Sequence, residues 1–88
     1  MWVIKLSKQA QEFIDSYGGK QKRLFESALN EIAIDPTLGK ALVAELKGYW
    51  SYRVGNFRII YSIKKHEVVV EVLRVQHQKE VYERFKGA

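Results

Sequence analysis

Cysteine is absent from this 88-residue chain, which excludes a disulfide framework, a Cys-ligated zinc site and a thiol nucleophile. Histidine is scarce: His66 and His77 are too few to build a metal site by themselves. No apolar run approaches the length needed to span a bilayer, so no membrane partner is expected. The opening residues Met1-Trp2-Val3-Ile4-Lys5-Leu6-Ser7-Lys8 alternate, whereas a secretory leader has a basic stretch followed by a long apolar one. A soluble protein of the cytoplasm is the expectation. Internal repeats and low-complexity segments are also lacking. The length suits one domain, residues 1–88, around one core.

What is present is an ordinary globular share of hydrophobic residues, 47%, and a formal net charge of +5. The charge is unevenly spread. Residues 1–44 hold 6 Lys/Arg against 5 Asp/Glu, and residues 45–88 hold 9 against 5. A basic half-domain fits a polyanionic partner, of which nucleic acid is the commonest. A lysine-rich solvated surface fits the same numbers, so charge alone leaves both readings open.

Hydrophobic periodicity gives the outline. Trp2, Ile4 and Leu6 alternate as in a short strand, and Ser7 offers an N-cap hydroxyl to a first helix. In that helix Ala10, Phe13, Ile14 and Tyr17 form one apolar stripe, which Gly18-Gly19 is expected to stop. A second helix is predicted from about Lys20 to Ile34, with the stripe Leu24, Phe25, Ala28, Leu29 and Ile32. Asp35-Pro36 terminates it. Residues 37–48 read equally as a helical turn or as the approach to a strand. From Tyr49 the period is two: Trp50, Tyr52 and Val54 alternate with Ser51 and Arg53, and Gly55-Asn56 supplies a hairpin turn. Phe57, Ile59, Tyr61 and Ile63 share one face of the next strand, opposite Arg58, Ile60 and Ser62. After a polar turn at Lys64–Glu67, a β-branched strand runs from Val68 to Val75. A short C-terminal helix is predicted from Gln78 to Phe85. The class is α+β: an N-terminal strand, an antiparallel helical hairpin, an antiparallel sheet of three further strands, and that last helix.

Chemistry concentrates between Arg53 and Tyr82. Arg53 and Arg58 flank the hairpin turn, so on adjacent strands they could share the face not covered by helices and offer two guanidinium forks to one phosphate. Arg74 ends the third strand, with His77 and Tyr82 close behind. Metal-free RNA cleavage needs a base for the 2′-hydroxyl proton, donors for the pentacoordinate phosphate and an acid for the departing 5′-oxygen. Arginines serve the second role. A histidine serves the first or third, and a tyrosine can stack on a base or donate a proton. Each residue also has a plainer reading: solvent-facing strand arginines, a surface or capping His77, a partly buried Tyr82, and Trp50 and Tyr52 as packing residues.

Five spaced blocks sharpen the choice. Leu46-Lys47-Gly48, the run Tyr52 to Tyr61 (YRVGNFRIIY), Leu73-Arg74-Val75, His77 and Glu80-Val81-Tyr82 together resemble the RelE/ParE toxin superfamily. The resemblance implies the toxin of a type II toxin–antitoxin pair, with the RelE-like fold. RelE members act as ribosome-dependent, metal-independent endoribonucleases that cleave messenger RNA at the ribosomal A site, leaving a 2′,3′-cyclic phosphate and a 5′-hydroxyl. Carried over by position, Arg53 and Arg58 would clamp the scissile phosphate and Arg74 and His77 would lie beside it. Tyr82 would orient the nucleotide or activate the attacking hydroxyl, and Lys40 and Lys47 would contact ribosomal RNA. No cofactor is implied. The implied partners are the ribosome, messenger RNA and an acidic, RelB-like antitoxin that wraps the cationic face. The pattern departs from the family at Ser51 and at Gln78, where basic residues are common. Two alternatives stay open. One is a ParE-like gyrase inhibitor that acts by binding alone, against which Glu80-Val81-Tyr82 counts. The other is an inactive member that keeps only its antitoxin-binding surface.

Overall fold

The first helix begins where Ser7 can cap it. In the computed structural model, which describes residues 1–79, Ser7 Oγ accepts the Ala10 amide at 3.1 Å and α1 runs Lys8–Asp15. It stops short of the glycine pair. The Ser16 hydroxyl donates to the Phe13 carbonyl at 2.6 Å and its amide to Glu12, so the last turn is satisfied early. The glycines instead lead into α2 (Gly19–Ile34), with Gly18 as its N-cap and Gly19 at φ 54°. The α2 stripe that buries is Phe25, Ala28, Ile32 and Ala33. Leu24, expected in it, is 45% exposed, because a stripe in this register leaves position 24 on its flank.

The segment that was ambiguous in sequence contains both elements it allowed. Asp35 Oδ1 accepts the Thr37 amide at 3.0 Å and caps a 3₁₀ turn at Pro36–Leu38. A two-residue strand, β2 (Lys40–Ala41), and a second 3₁₀ turn at Ala44–Leu46 follow. Gly39 is required between the Pro36–Leu38 turn and β2: a Cβ there would lie 2.9 Å from the Ser51 carbonyl. Nearby, the buried Tyr61 hydroxyl donates to the Pro36 carbonyl at 2.6 Å.

The remaining strands are β1 (Val3–Leu6), β3 (Tyr49–Val54), β4 (Phe57–Lys64) and β5 (Val69–His77). They form one sheet in the order β1-β5-β4-β3-β2. Strand β1 joins parallel to β5, and β2 adds an antiparallel edge. The sheet is therefore mixed and wider than the three-stranded meander expected after the helices. Gly55, at φ 59°, occupies the first position of the β3–β4 turn, where a two-residue hairpin needs a positive φ. Val68 lies in the β4–β5 turn at φ 56° instead of starting the strand.

Both helices bury against one face of the sheet. Ala10, Ile14, Phe25, Ala28 and Ile32 meet Val54, Phe57, Ile59, Tyr61, Val70, Val72 and Val75 in one core cluster. Phe13, Tyr17 and Ile63 pack against it half-buried. At the hairpin end, Phe13, Tyr17, Phe25 and Phe57 stack mostly edge-on, with ring centroids from 5.1 to 6.3 Å apart. No helix among the described residues is long and apolar enough to cross a membrane. The chain is helical at Gln78 and Lys79. The rest of the predicted C-terminal helix, with Tyr82, lies outside the described residues.

Candidate functional site

Strand alternation sends Trp50, Tyr52, Val54, Phe57, Ile59 and Tyr61 toward the helices and their sequence neighbours to the opposite face. On that opposite face Arg53 stands directly across from Arg58, and Arg58 across from Gln76. The next row along the strands is Lys40, Ser51, Ile60 and Arg74. Four of the five lysines and arginines singled out in the sequence, Arg53, Arg58, Arg74 and Lys40, thus share one face in two neighbouring rows. Directly opposed residues have Cβ atoms roughly 5 Å apart, so the two guanidinium groups can close on a single phosphate.

Arg74 reaches this face only because β5 changes phase. Val70 and Val72 point to the core, and simple alternation would send residues 74 and 76 the same way. The ladder with β4 is irregular between Ile60 and Tyr61: Ile60 pairs with Arg74 but Tyr61 with Val72, which leaves Leu73 as an extra residue. This bulge puts Val75 into the core and sends Arg74 and Gln76 to the opposite face of the sheet. The signal was present in sequence as the consecutive pair Leu73-Arg74, which interrupts the Val70, Val72, Val75 pattern.

The floor of the face is tight. Ser51, Ile60 and Gln76 are all buried. Arg58 Nη1 donates to Ser51 Oγ at 3.3 Å, which steers its guanidinium along β3. Arg53 Nε donates to the Gly55 carbonyl at 3.1 Å. The buried Gln76 Oε1 has no hydrogen-bond partner among the described residues. None of the three arginines forms an ion pair with a carboxylate among them either; the ion pairs present are Lys8–Glu12, Lys22–Asp15 and Lys64–Glu71. Sequence reasoning did not single out Ser51 as the hydroxyl that fixes Arg58, nor Gln76.

His77 does not join the arginine face. It opposes Phe57 on the helix side of the sheet, and its ring stacks edge-on against Phe57 at 5.2 Å. Its place at the end of β5 still brings it to the hairpin. There Arg53, Asn56, His77, Gln78 and Lys79 line a shallow recess of about 390 Å³, and the Gln78 amide donates to the Asn56 carbonyl at 2.7 Å. Arg53 belongs to both surfaces. Lys47 lies in the turn before β3, at the opposite end of that strand from Arg53 and outside this group. Trp50 and Tyr52 face the core, and Tyr52 donates to Glu31, a bond that raises its phenol pKa. Among the described residues no three His, Asp or Glu side chains converge to hold a metal ion.

Comparison with known proteins gives a consistent set of likenesses. A family model described as ParE toxin of type II toxin–antitoxin system, parDE, matches residues 4–82. Toxin RelG of Mycobacterium tuberculosis is 37% identical over 60 residues, covering 67% of this chain and 69% of that protein. The toxin–antitoxin complex RelBE2 of M. tuberculosis contains a chain that superposes with a TM-score of 0.75 at 27% identity, over 86% of this chain and 96% of that one. The isolated E. coli RelE toxin has the same fold, with a TM-score of 0.76 at 17% identity, over 99% and 97% of the two chains.

Proposed function

The chain belongs to the RelE/ParE toxin superfamily of type II toxin–antitoxin systems, and from that premise we propose that it is a ribosome-dependent endoribonuclease that cuts messenger RNA without a metal ion. The observation that carries the reading is the row Arg53–Arg58 with Arg74 diagonal to it, on one sheet face and without a carboxylate partner among the described residues. Such a face is built to meet a phosphodiester whose negative charge grows in the transition state.

In the proposed reaction the 2′-hydroxyl attacks the adjacent phosphorus and the bond to the 5′-oxygen breaks. The products are a 2′,3′-cyclic phosphate and a 5′-hydroxyl. Arg58, held by Ser51 and carried next to the core residue Phe57, is the main donor to the non-bridging oxygens. Arg53 clamps from β3 and Arg74 from β5. His77 lies on the helix side of the sheet, but it borders the recess that Arg53 also lines, and its proposed role is to exchange a proton with one of the two oxygens that change bonding. Tyr82 is proposed on resemblance alone to orient the nucleotide or activate the attacking hydroxyl. Lys40 extends the cationic face toward ribosomal RNA, and Lys47 would contact it separately. The work is done in the cytoplasm, where translation supplies the substrate.

The proposed regulator is a cognate RelB-like, mostly acidic antitoxin that covers the arginine face. The related M. tuberculosis protein was solved as a toxin–antitoxin complex. A disordered acidic segment can wrap so small a surface extensively, and opposite charge speeds its encounter.

The test is incubation of the purified toxin with programmed ribosomes, followed by mapping of new RNA 5′ ends. Cleavage within the A-site codon is expected. A second reading is favoured by the family model, whose description names the ParE toxin of parDE: gyrase inhibition by binding alone. Toxicity and gyrase inhibition with intact RNA would select it.

A further inference from the structure

Strand β1 pairs with β5 only as far as Leu6, opposite Val72, which is where the bulge begins. Past that point the backbone of β5 has no strand beside it on the β1 side, and unpaired backbone groups in a part-buried position are costly. Ser7, the N-cap, and Gln9 in the first turn of α1 take over. The Ser7 amide donates to the Val72 carbonyl at 2.9 Å, and the Ser7 hydroxyl donates to the Leu73 carbonyl at 2.6 Å. Gln9 then binds Val75 twice: its Nε2 donates to the Val75 carbonyl at 3.2 Å, and its Oε1 accepts the Val75 amide at 3.2 Å.

A side-chain amide that donates to and accepts from one residue reproduces what a neighbouring strand residue would do. Gln9 therefore extends the β1 edge by one more step without any strand. The step falls on Val75, the residue between Arg74 and Gln76. With Val75 held on both its N–H and its C=O, the bulge at Leu73 cannot slide into regular pairing. Regular pairing would return Arg74 to the core side.

We propose that Gln9 is a positioning residue for Arg74: its amide, acting as a surrogate strand residue on Val75, locks the bulge that presents Arg74 on the arginine face. The proposal rests on the endoribonuclease reading for its effect on rate, but the clamp itself has an independent readout. Gln9 meets β5 only at the strand edge, through the Val75 backbone, and is not among the residues proposed to touch the phosphate.

The test uses the full-length chain with Gln9→Met, which keeps length and bulk but removes both polar atoms, and Gln9→Glu, which keeps the acceptor for the Val75 amide and loses the donor. Hydrogen exchange at the Val75 amide should accelerate about tenfold in Gln9→Met and stay near wild type in Gln9→Glu. Single-turnover cleavage on programmed ribosomes should fall on the order of ten- to a hundredfold in Gln9→Met. In the Arg74→Ala background, Gln9→Met should cost almost nothing further, since the two changes remove the same contribution. Unchanged Val75 exchange in Gln9→Met, or losses that multiply in the double variant, would overturn the proposal. If Gln9→Met fails to fold, a Gln9→Glu variant that folds but loses Val75 protection overturns it equally. If wild type cuts no RNA, the endoribonuclease reading fails on its own. Val75 exchange and the Arg74 Nε–H resonance, expected to shift in Gln9→Met, then decide the clamp.

Discussion

Arg53 and Arg58 oppose each other directly across β3 and β4, like charge facing like charge on the sheet face away from the helices. In a protein selected only for stability such a pair is a defect, since directly opposed like charges destabilise a strand pair. Its presence is understandable if the partner that neutralises it is a phosphate.

A gain in stability on removing one member follows. Arg53→Gln should stabilise the fold by about 0.5 kcal/mol, and the gain should shrink as salt screens the repulsion. Urea unfolding at low and high ionic strength checks this. A clear loss of stability at low salt would mean the arginine contributes more by packing than it costs by repulsion.

Ser51 offers a finer probe of the site. Its hydroxyl steers Arg58 at 3.3 Å and the residue is buried, so Ser51→Ala removes the steering while leaving Arg58 in place. Cleavage is expected to fall roughly tenfold, with the folded structure retained. Single-turnover kinetics with circular dichroism on the same sample measures both. An unchanged rate would show that the phosphate alone orients Arg58.

Tyr61 makes alkaline stability predictable. Burial pushes its phenol up to about 12 from an ordinary 10.0. The folded pKa lies above the unfolded one, so the protonated phenol favours the folded state. That stabilisation is complete below pH 10 and is lost as pH rises from 10 through 12. Its size is about 3 kcal/mol. Thermal melts from pH 9 to 12 should fall more steeply for wild type than for Tyr61→Phe, and parallel curves would exclude Tyr61 as the source.

The β4–β5 turn holds a correctable strain. Val68 is β-branched and sits at φ 56°, a region that costs such residues on the order of 1 kcal/mol or more. Val68→Asn should raise the melting temperature by roughly 4–8 °C, as about 1 kcal/mol does in a domain of this size. The turn is far from the arginines, so cleavage should be unaffected. A lower melting temperature would show that the half-exposed valine makes contacts worth more than the strain.

Much of this architecture was legible in the residues, and the omissions have physical causes. The cap at Ser7, the hairpin at Gly55-Asn56 and the inward set Phe57, Ile59 and Tyr61 follow from local chemistry and period, which act over a few residues. The extra edge strand at Lys40–Ala41 is two residues long and leaves no periodic trace. The parallel docking of β1 on β5 joins segments more than sixty residues apart. The phase change at Leu73 mattered most for the site: without it Arg74 would not share a sheet face with Arg58. Sequence placed His77 among the arginines because it follows Arg74 closely, yet three residues along a strand reverse the face, and Phe57 holds its ring on the helix side. The contacts from Ser7 and Gln9 to β5 span 66 residues and could not be read from spacing at all.

The central claim is that a localised arginine site, rather than diffuse basicity, cuts RNA. The most direct measurement is single-turnover cleavage of messenger RNA on programmed ribosomes by wild type, Arg58→Ala and Lys65→Ala, each shown to be folded. Lys65 carries the same charge in the β4–β5 turn, at the other end of β4 from Arg58. The account predicts a loss on the order of a hundredfold or more for Arg58→Ala and a rate near wild type for Lys65→Ala. Equal losses for the two variants, or full activity of Arg58→Ala, would contradict it.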